Sequence, residues 1–556
     1  MNKKVCSFPI LFVLLALLIG TCAVVFPASA QAAPTSTGSI TVSGTVASSY
    51  DAYQIFDANV VDGDSDAKLA TDLAWASDAV RDAALPVLHS AGMPKSQTTA
   101  QEAAEWLNTD SHLTSALSAQ LARSLQSSGA VPVALNAGTT AELPCGYWLI
   151  VADDDAIAQG EAGTAPIMAL VGGSAVSVKP KAATPKVAKH VLEDSTAAWQ
   201  KAADATVADD LYWRLSATVP AGLTAYDTYT VRFVDTMSAG LDPSKVVASM
   251  RVYAAAGADG GFDAVSAGRD GRAGTEPAKG WTDITAQCAT KVAADGKTFT
   301  VRTGDLIAAL GGADAFIAGA RVVAVYDAPL NGACNHGIAK GNPNEVYLRY
   351  PRSPFADQSG DAGFTRTPSD DACAYTWDLA LTKRGSDGDK PLAGAVLSIT
   401  DDRGRTLAAD GTWDAEGKAT VTTGEDGRVT VSGVDSGKLE VRELKAPKGY
   451  TAFEGTRSVT VKAEGLDVDQ VAAAKPKLTI TAESPLRADS ADGSTGSLEA
   501  SLINTPTGTP PSITTGGFMP STGDMAMYAA AAAAVAGAAL IVVALLVKRG
   551  GGSHKE

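Results

Sequence analysis

The chain has 556 residues, 61 acidic against 45 basic, with a formal net charge of −16 and a sequence pI of about 4.8. That balance argues against nucleic acid or an anionic membrane as partner and describes a soluble, self-repelling exterior. Five scattered histidines, with no H-x-x-H or C-x-x-C spacing, argue against a catalytic metal or Cys/His site, and no cofactor is expected.

Residues 1–30 read as a secretory signal peptide: Lys3-Lys4, an apolar core from Pro9 to Val25, and Ala28-Ser29-Ala30, with cleavage after Ala30. Cys22 is not read as a lipidation site, because Thr21 is bulky for the position before a modified cysteine. Residues 31–180 form the first domain. Ile40, Val42 and Val46 at even spacing mark a half-buried strand, and Tyr147 to Val151 a more fully apolar one. Between them, from about Lys68 to Gly129, the chain is Ala-rich and helical in pattern, with a capping box at Thr99 and Glu102. The expectation is a β-sandwich with a helical insertion. The Asp62-Gly63-Asp64-Ser65-Asp66 run lacks the glycine and terminal glutamate of a calcium loop and reads as an acidic loop.

A joint rich in Pro and Lys, Lys179-Pro180-Lys181-Ala182-Ala183-Thr184-Pro185-Lys186, leads into a middle domain, residues 181–366. Its strings Tyr229 to Val234 and Glu345 to Tyr350 are β-rich, with Gly, Asp and Asn turns between such runs. A third domain, residues 367–505, has shorter strands punctuated by Asp410-Gly411, Asp426-Gly427 and Lys448-Gly449, as in a small immunoglobulin-like sandwich. The fold class expected is mainly β, in tandem sandwiches. Residues 506–518 are a Thr/Pro/Gly tether. Residues 519–556 hold Met519-Pro520-Ser521-Thr522-Gly523, an apolar run from about Met525 to Val547 and Lys548-Arg549. About 23 apolar residues make a helix of about 34 Å, enough to span a bilayer, with the basic pair cytoplasmic. Four cysteines lie outside the signal peptide, Cys145, Cys288, Cys334 and Cys373. Three full pairings are formally open, Cys288 with Cys334 being the most economical.

The pentapeptide, span and basic tail, in that order, resemble the L-P-x-T-G sorting signal of Gram-positive wall-anchored proteins, with Met519 in place of Leu. The resemblance implies cleavage between Thr522 and Gly523 by a sortase, which holds Thr522 as a thioester until an amine takes it. The precursor would then be anchored at the membrane only transiently, on its way to the cell wall of a Gram-positive bacterium.

Two further strings resemble those of sortase-assembled major pilins. Val176-Ser177-Val178-Lys179-Pro180-Lys181 is similar to the pilin motif, which makes Lys181 the polymerising nucleophile, with Lys179 and Lys186 as substitutes because the flanks depart from the commoner Tyr-Pro-Lys-Asn. The segment from Leu439 to Tyr450 resembles the pilin E-box and puts Glu443 in its acidic slot. Leu381-Thr382-Lys383 and Leu502-Ile503-Asn504 resemble the first and last strands of a collagen-adhesin B-type (CnaB) domain. Pro185 to Lys189 and Asn344 to Leu348 resemble those of the A-type (CnaA) domain, with Asp235 as the acid and Asp227 as its rival. The resemblance implies internal isopeptide bonds from Lys189 to Asn344 and from Lys383 to Asn504.

The chemistry needs these residue types. A lysine attacks only when neutral, and burial disfavours its ammonium; asparagine supplies a carboxamide carbon and ammonia as leaving group; a buried acid polarises the amide and shuttles protons. Holding amine and amide together supplies effective molarity in place of an external enzyme. The implied function is a structural shaft subunit, a sortase substrate and not a turnover enzyme. Its partners would be a pilin-specific sortase, identical subunits, minor pilins and peptidoglycan. The rival is a minor pilin or wall-anchored adhesin that binds a host surface ligand and needs no polymerising lysine.

Overall fold

The computed structural model describes residues 36–508 except 45, 64–66, 110, 111 and 181–183. The signal peptide, Lys181, the sorting pentapeptide and the apolar run after it lie outside the described residues. Among the described residues no helix is long and apolar enough to cross a membrane.

The strands fall into three successive groups of sheets. In the first, Ser49–Asp62 pairs with Gly146–Ala152 at the centre of one sheet, and Thr37–Val42 lies between Thr140–Pro144 and Val176–Val178 in a second. The period of two along a strand gives the central sheet two faces. Tyr50, Ala52, Trp148 and Ile150 pack toward the second sheet, whereas Tyr53, Ile55, Leu149 and Val151 meet the helices. Those helices are Asp78–Ser90, Ala100–Asn108 and Ser115–Gln126. Thr99 and Glu102 cap the second reciprocally, as their spacing implies. The helical stretch begins later than expected: Lys68–Trp75 is a strand, because Ser49–Asp62 is long enough to pair with it through Asp62.

The middle group is a sandwich. One sheet runs, by strand, Ala198–Gln200, Lys186–Glu193, Tyr212–Val219, Ala320–Asp327, Arg251–Ala256, Thr282–Asp283; the other runs Ala202–Asp204, Asp370–Tyr375, Asn342–Pro351, Arg232–Met237, Thr298–Arg302, Ala289–Val292. Trp213, Phe233, Phe299, Tyr326 and Leu348 fill the space between them. The strand Asp370–Tyr375 belongs to this sandwich, paired with Asn342 to Val346, although the sequence reading ended the middle domain at residue 366.

The third group is a second sandwich, with Trp377–Gly385 between Arg428–Val434 and Ser497–Pro506 in one sheet and Val396–Thr400, Gly437–Lys445 and Thr456–Glu464 in the other. Its contact with the middle group is partly apolar, with Ala202, Cys373 and Tyr375 packed into the third core, and partly polar: Asp204 accepts from the Trp377 indole at 2.7 Å and the Ser436 amide at 2.9 Å, and Arg405 and Arg403 converge on Asp209.

Candidate functional sites in the two sandwiches

In the middle sandwich, Lys189 stands on Lys186–Glu193, opposite Leu215. Asp235 and Asn344 come from the facing sheet. There Asp235 is opposite Val346 and Met237 opposite Asn344, so the acid and the amide lie two residues apart in register and share the inward face. Lys189, Asp235 and Asn344 are all fully buried. The Lys189 ammonium pairs with Asp235 and donates to the Tyr326 hydroxyl at 2.9 Å; that hydroxyl donates to Asp235 at 3.0 Å and accepts from the Asn344 amide at 2.8 Å. Trp213 and Tyr326 each hold a ring centroid 5.4 Å from the amine. Asp227, the rival acid, is exposed and pairs with Arg123 instead.

The third sandwich assembles its set differently. Its first and last strands are parallel neighbours, Lys383 opposite Leu502 and Gly385 opposite Asn504, so lysine and asparagine are adjacent within one sheet. Lys383 donates to the Leu502 carbonyl at 3.1 Å and lies 3.7 Å from Glu443. The Asn504 amide lies 2.9 and 3.0 Å from the two Glu443 oxygens. Glu443 reaches across from Gly437–Lys445 in the other sheet, and the strings flanking it explain how. After the Pro447 to Tyr450 turn, Tyr450–Thr451 pairs with Thr505–Pro506, and the Phe453 amide donates to Glu443 at 3.1 Å. The turn therefore ties the acid's strand to the end of the asparagine's strand. Gly427, at φ 72°, lets its loop lie against Lys383: a Cβ there would stand 2.9 Å from the Lys383 carbonyl.

Residues 378–475 match the family model described as SpaA, a prealbumin-like fold domain. The chain is 30% identical over 129 residues to the trypsin-resistant surface T6 protein of Streptococcus pyogenes serotype M6; the match spans 22% of this chain and 22% of that protein's length. Among solved structures it is similar to the T6 backbone pilin of S. pyogenes serotype M6, at 17% identity over 86% of this chain and 100% of that one, with a TM-score of 0.46. It is also similar to the full-length major pilin SpaD of Corynebacterium diphtheriae, at 15% identity over 85% and 98%, TM-score 0.40. A third likeness is to the major pilin BcpA of Bacillus cereus, at 11% identity over 85% and 99%, TM-score 0.38.

Burial acts alike on the lysines of the third and middle sandwiches. Burial lowers the Lys383 amine to about 8, against the opposing pull of Glu443, and lowers Lys189 to about 8 against that of Asp235. Burial also raises the Asp235 carboxyl above its ordinary range, with Lys189 and Tyr326 pulling the other way. Asp235 Oδ1, Asn344 Oδ1 and Asn504 Oδ1 are buried without hydrogen-bond partners, so in each site the amide oxygen has an acceptor position left unfilled.

Sequence reasoning missed Tyr326. It sits in an ordinary apolar strand, and only the pairing of sheets brings its hydroxyl between the acid and the amide. Lys179 is exposed directly after the strand Val176–Val178, and Lys186 is exposed at the start of the next strand. The pairing of Cys288 with Cys334 is not made: all four described cysteines are free thiols. The Cys334 sulfur lies 3.6 Å from His336 Nε2, and His336 Nδ1 lies 2.8 Å from Asp378. This loop has the outline of a nucleophile relay, but burial, with Asp378 adding to it, raises the thiol, the opposite of activation. Among the described residues no group of His, Cys, Asp or Glu is arranged to hold a metal ion.

Proposed function

We propose that the chain is the shaft subunit of a covalently polymerised, wall-anchored pilus of a Gram-positive bacterium, and a structural protein rather than an enzyme. The observation that carries this reading is the burial of a lysine, an acid and an asparagine together in each of two tandem sandwiches. A buried ion pair of this kind is a poor source of stability, since desolvation offsets the attraction. Its use is chemical. Within each site the proton passes from the lysine to the acid; the neutral amine attacks the asparagine Cγ while the acid protonates Oδ1; the C–N bond to the old amide nitrogen breaks and ammonia leaves. The net change is amine plus carboxamide to secondary amide plus ammonia, with the acid regenerated. The products are bonds from Lys189 to Asn344 and from Lys383 to Asn504, with Asp235 and Glu443 as the acids.

Polymerisation by a pilin-specific sortase would join Thr522, released from Gly523, to Lys181 of the next identical subunit, with minor pilins and peptidoglycan completing the fibre. The export signal, the sorting motif and the relatives' description as surface and backbone pilin proteins support this reading. An SDS gel of wall extract tests it. A ladder of covalent multimers is expected, whereas a single band identifies an anchored adhesin or minor pilin instead.

A further inference from the structure

The outer face of the first middle sheet carries a second, smaller apolar cluster, in which Tyr253, Val323 and Val325 are covered by the loop containing Ala264 and Val265. Between that loop and the hairpin ending in Trp199 opens a cleft of about 420 Å³, lined by Ala197, Trp199, Arg214, Asp263, Val265 and Ser266 among others. The volume is that of a small-molecule site, and the lining is mostly apolar with a few convergent polar groups.

Arg214 is the anomaly. It is only 7% exposed, yet its five N–H donors are nearly unused. Nε is buried without a partner, Nη1 has one long bond of 3.4 Å to the Phe262 carbonyl, and Nη2 has no hydrogen-bond partner among the described residues. The nearest carboxylate, Asp263, stands 3.6 Å from Nη1 but is 91% exposed and so is a weak counter-ion. The Trp199 ring, 5.1 Å from the guanidinium carbon, holds the group in place by stacking, and His190, the cross-strand neighbour of Arg214, has lost its basicity through burial and the adjacent guanidinium. An arginine fixed, desolvated and left with free donors at the wall of a cleft is built for a carboxylate. Asp263 beside it would repel a second anion but accept from an O–H or N–H.

We propose that this cleft binds a small hydroxy- or amino-carboxylate, with the carboxylate held by Arg214, the neighbouring donor by Asp263 and Ser266, and the apolar edge by Val265 and Ala197. The site is independent of polymerisation and of both lysine sets. Two sources share that chemistry, acidic sugars and free amino acids, and the experiment separates them.

Calorimetric titration of the full chain would use N-acetylneuraminate, glucuronate, alanine, propionate and neutral N-acetylglucosamine. Saturation by either acidic sugar, or by alanine, at millimolar concentration or below supports the site and assigns the source; propionate should bind at least roughly tenfold more weakly and the neutral sugar not at all. Arg214→Gln should remove binding. Should that variant fail to fold, Asp263→Asn, at an exposed position, decides: it should weaken the donor-bearing ligand roughly tenfold and leave propionate unchanged or tighter. No carboxylate binding below about 10 mM, equal binding of propionate and the donor-bearing acids, or binding that survives Arg214→Gln or is unaffected by Asp263→Asn, overturns the proposal.

Discussion

The Asn344 amide donates to the Tyr326 hydroxyl at 2.8 Å, while the Asn344 carbonyl oxygen lies buried with no partner. Tyr326 thus fixes the carboxamide by its nitrogen and leaves its oxygen for the acid. It also accepts from Lys189 and donates to Asp235, so a single hydroxyl orients all three groups. Tyr326→Phe keeps the ring and its packing on Phe299 but removes that orientation. Bond formation in the middle sandwich should slow by roughly tenfold to a hundredfold, with the third sandwich unaffected, as read from intact mass after refolding. A wild-type rate in Tyr326→Phe would reduce the tyrosine to a core residue.

Each bond expels ammonia, so the folded chain should weigh about 17 Da less than its sequence for each bond formed. Asp235→Ala should restore that mass in the middle sandwich alone and Glu443→Ala in the third alone, because each acid serves the amide within its own reach. An intact mass equal to the sequence value in wild type would exclude both bonds.

The pH dependence follows from the two amines. Both lysines have folded values lowered to about 8, below the ordinary 10.5, so the reactive neutral amine becomes populated as pH rises through about 8. Bond formation on refolding should accelerate over that range. A variant that cannot react, such as Asn344→Ala, keeps its amine. Its charged form is penalised in the folded state, so the penalty is full below pH 8 and disappears as pH climbs toward 10.5; chemical denaturation should show stability gained across that window. The reacted wild type has no amine at this position and should lack that gain. Equal pH profiles for the two proteins would count against a reacted Lys189.

Lys189, Asn344, Lys383 and Asn504 were proposed from the resemblance of the strings around them to the first and last strands of A- and B-type domains; in the structure Lys383 and Asn504 lie on adjacent strands, and Lys189 and Asn344 share the Tyr326 hydroxyl. Asp235 was preferred to Asp227 by the slot the same resemblance gives it; in the structure Asp235 is buried against Lys189, whereas Asp227 is exposed and paired with Arg123. The strand at Lys68–Trp75 was hidden: its Ala and Leu content suits a helix, and only the length of Ser49–Asp62 offers it a partner. Glu443 was assigned through the resemblance of Leu439 to Tyr450 to the E-box; in the structure the pairing of Tyr450 with Pro506 ties the strand that carries it to the end of the strand that carries Asn504.

Lys181→Ala should leave a secreted, folded monomer and abolish the ladder. Lys179, exposed one strand-end earlier, is the competing nucleophile. Multimers that persist in Lys181→Ala and vanish in Lys179→Ala would move the polymerising amine by two residues without changing the class of protein.

Chain order also fixes where force would travel. A neighbour's Thr522 would pull at Lys181, and this subunit's own Thr522 would be pulled from the far end, so tension would cross the middle and third sandwiches and leave the first unloaded. That fits a first group whose central sheet packs on a second sheet on one face and on helices on the other. In the loaded sandwiches the chain between Lys189 and Asn344, and between Lys383 and Asn504, would lie inside a covalently closed loop and could not be drawn out. Single polymers under tension should therefore show no large unfolding steps from these two sandwiches. The double variant Lys189→Ala with Lys383→Ala opens both loops, and at about 3.5 Å per residue it should release steps of roughly 500 and 400 Å. Long steps in wild type, or none in the double variant, would contradict this load path.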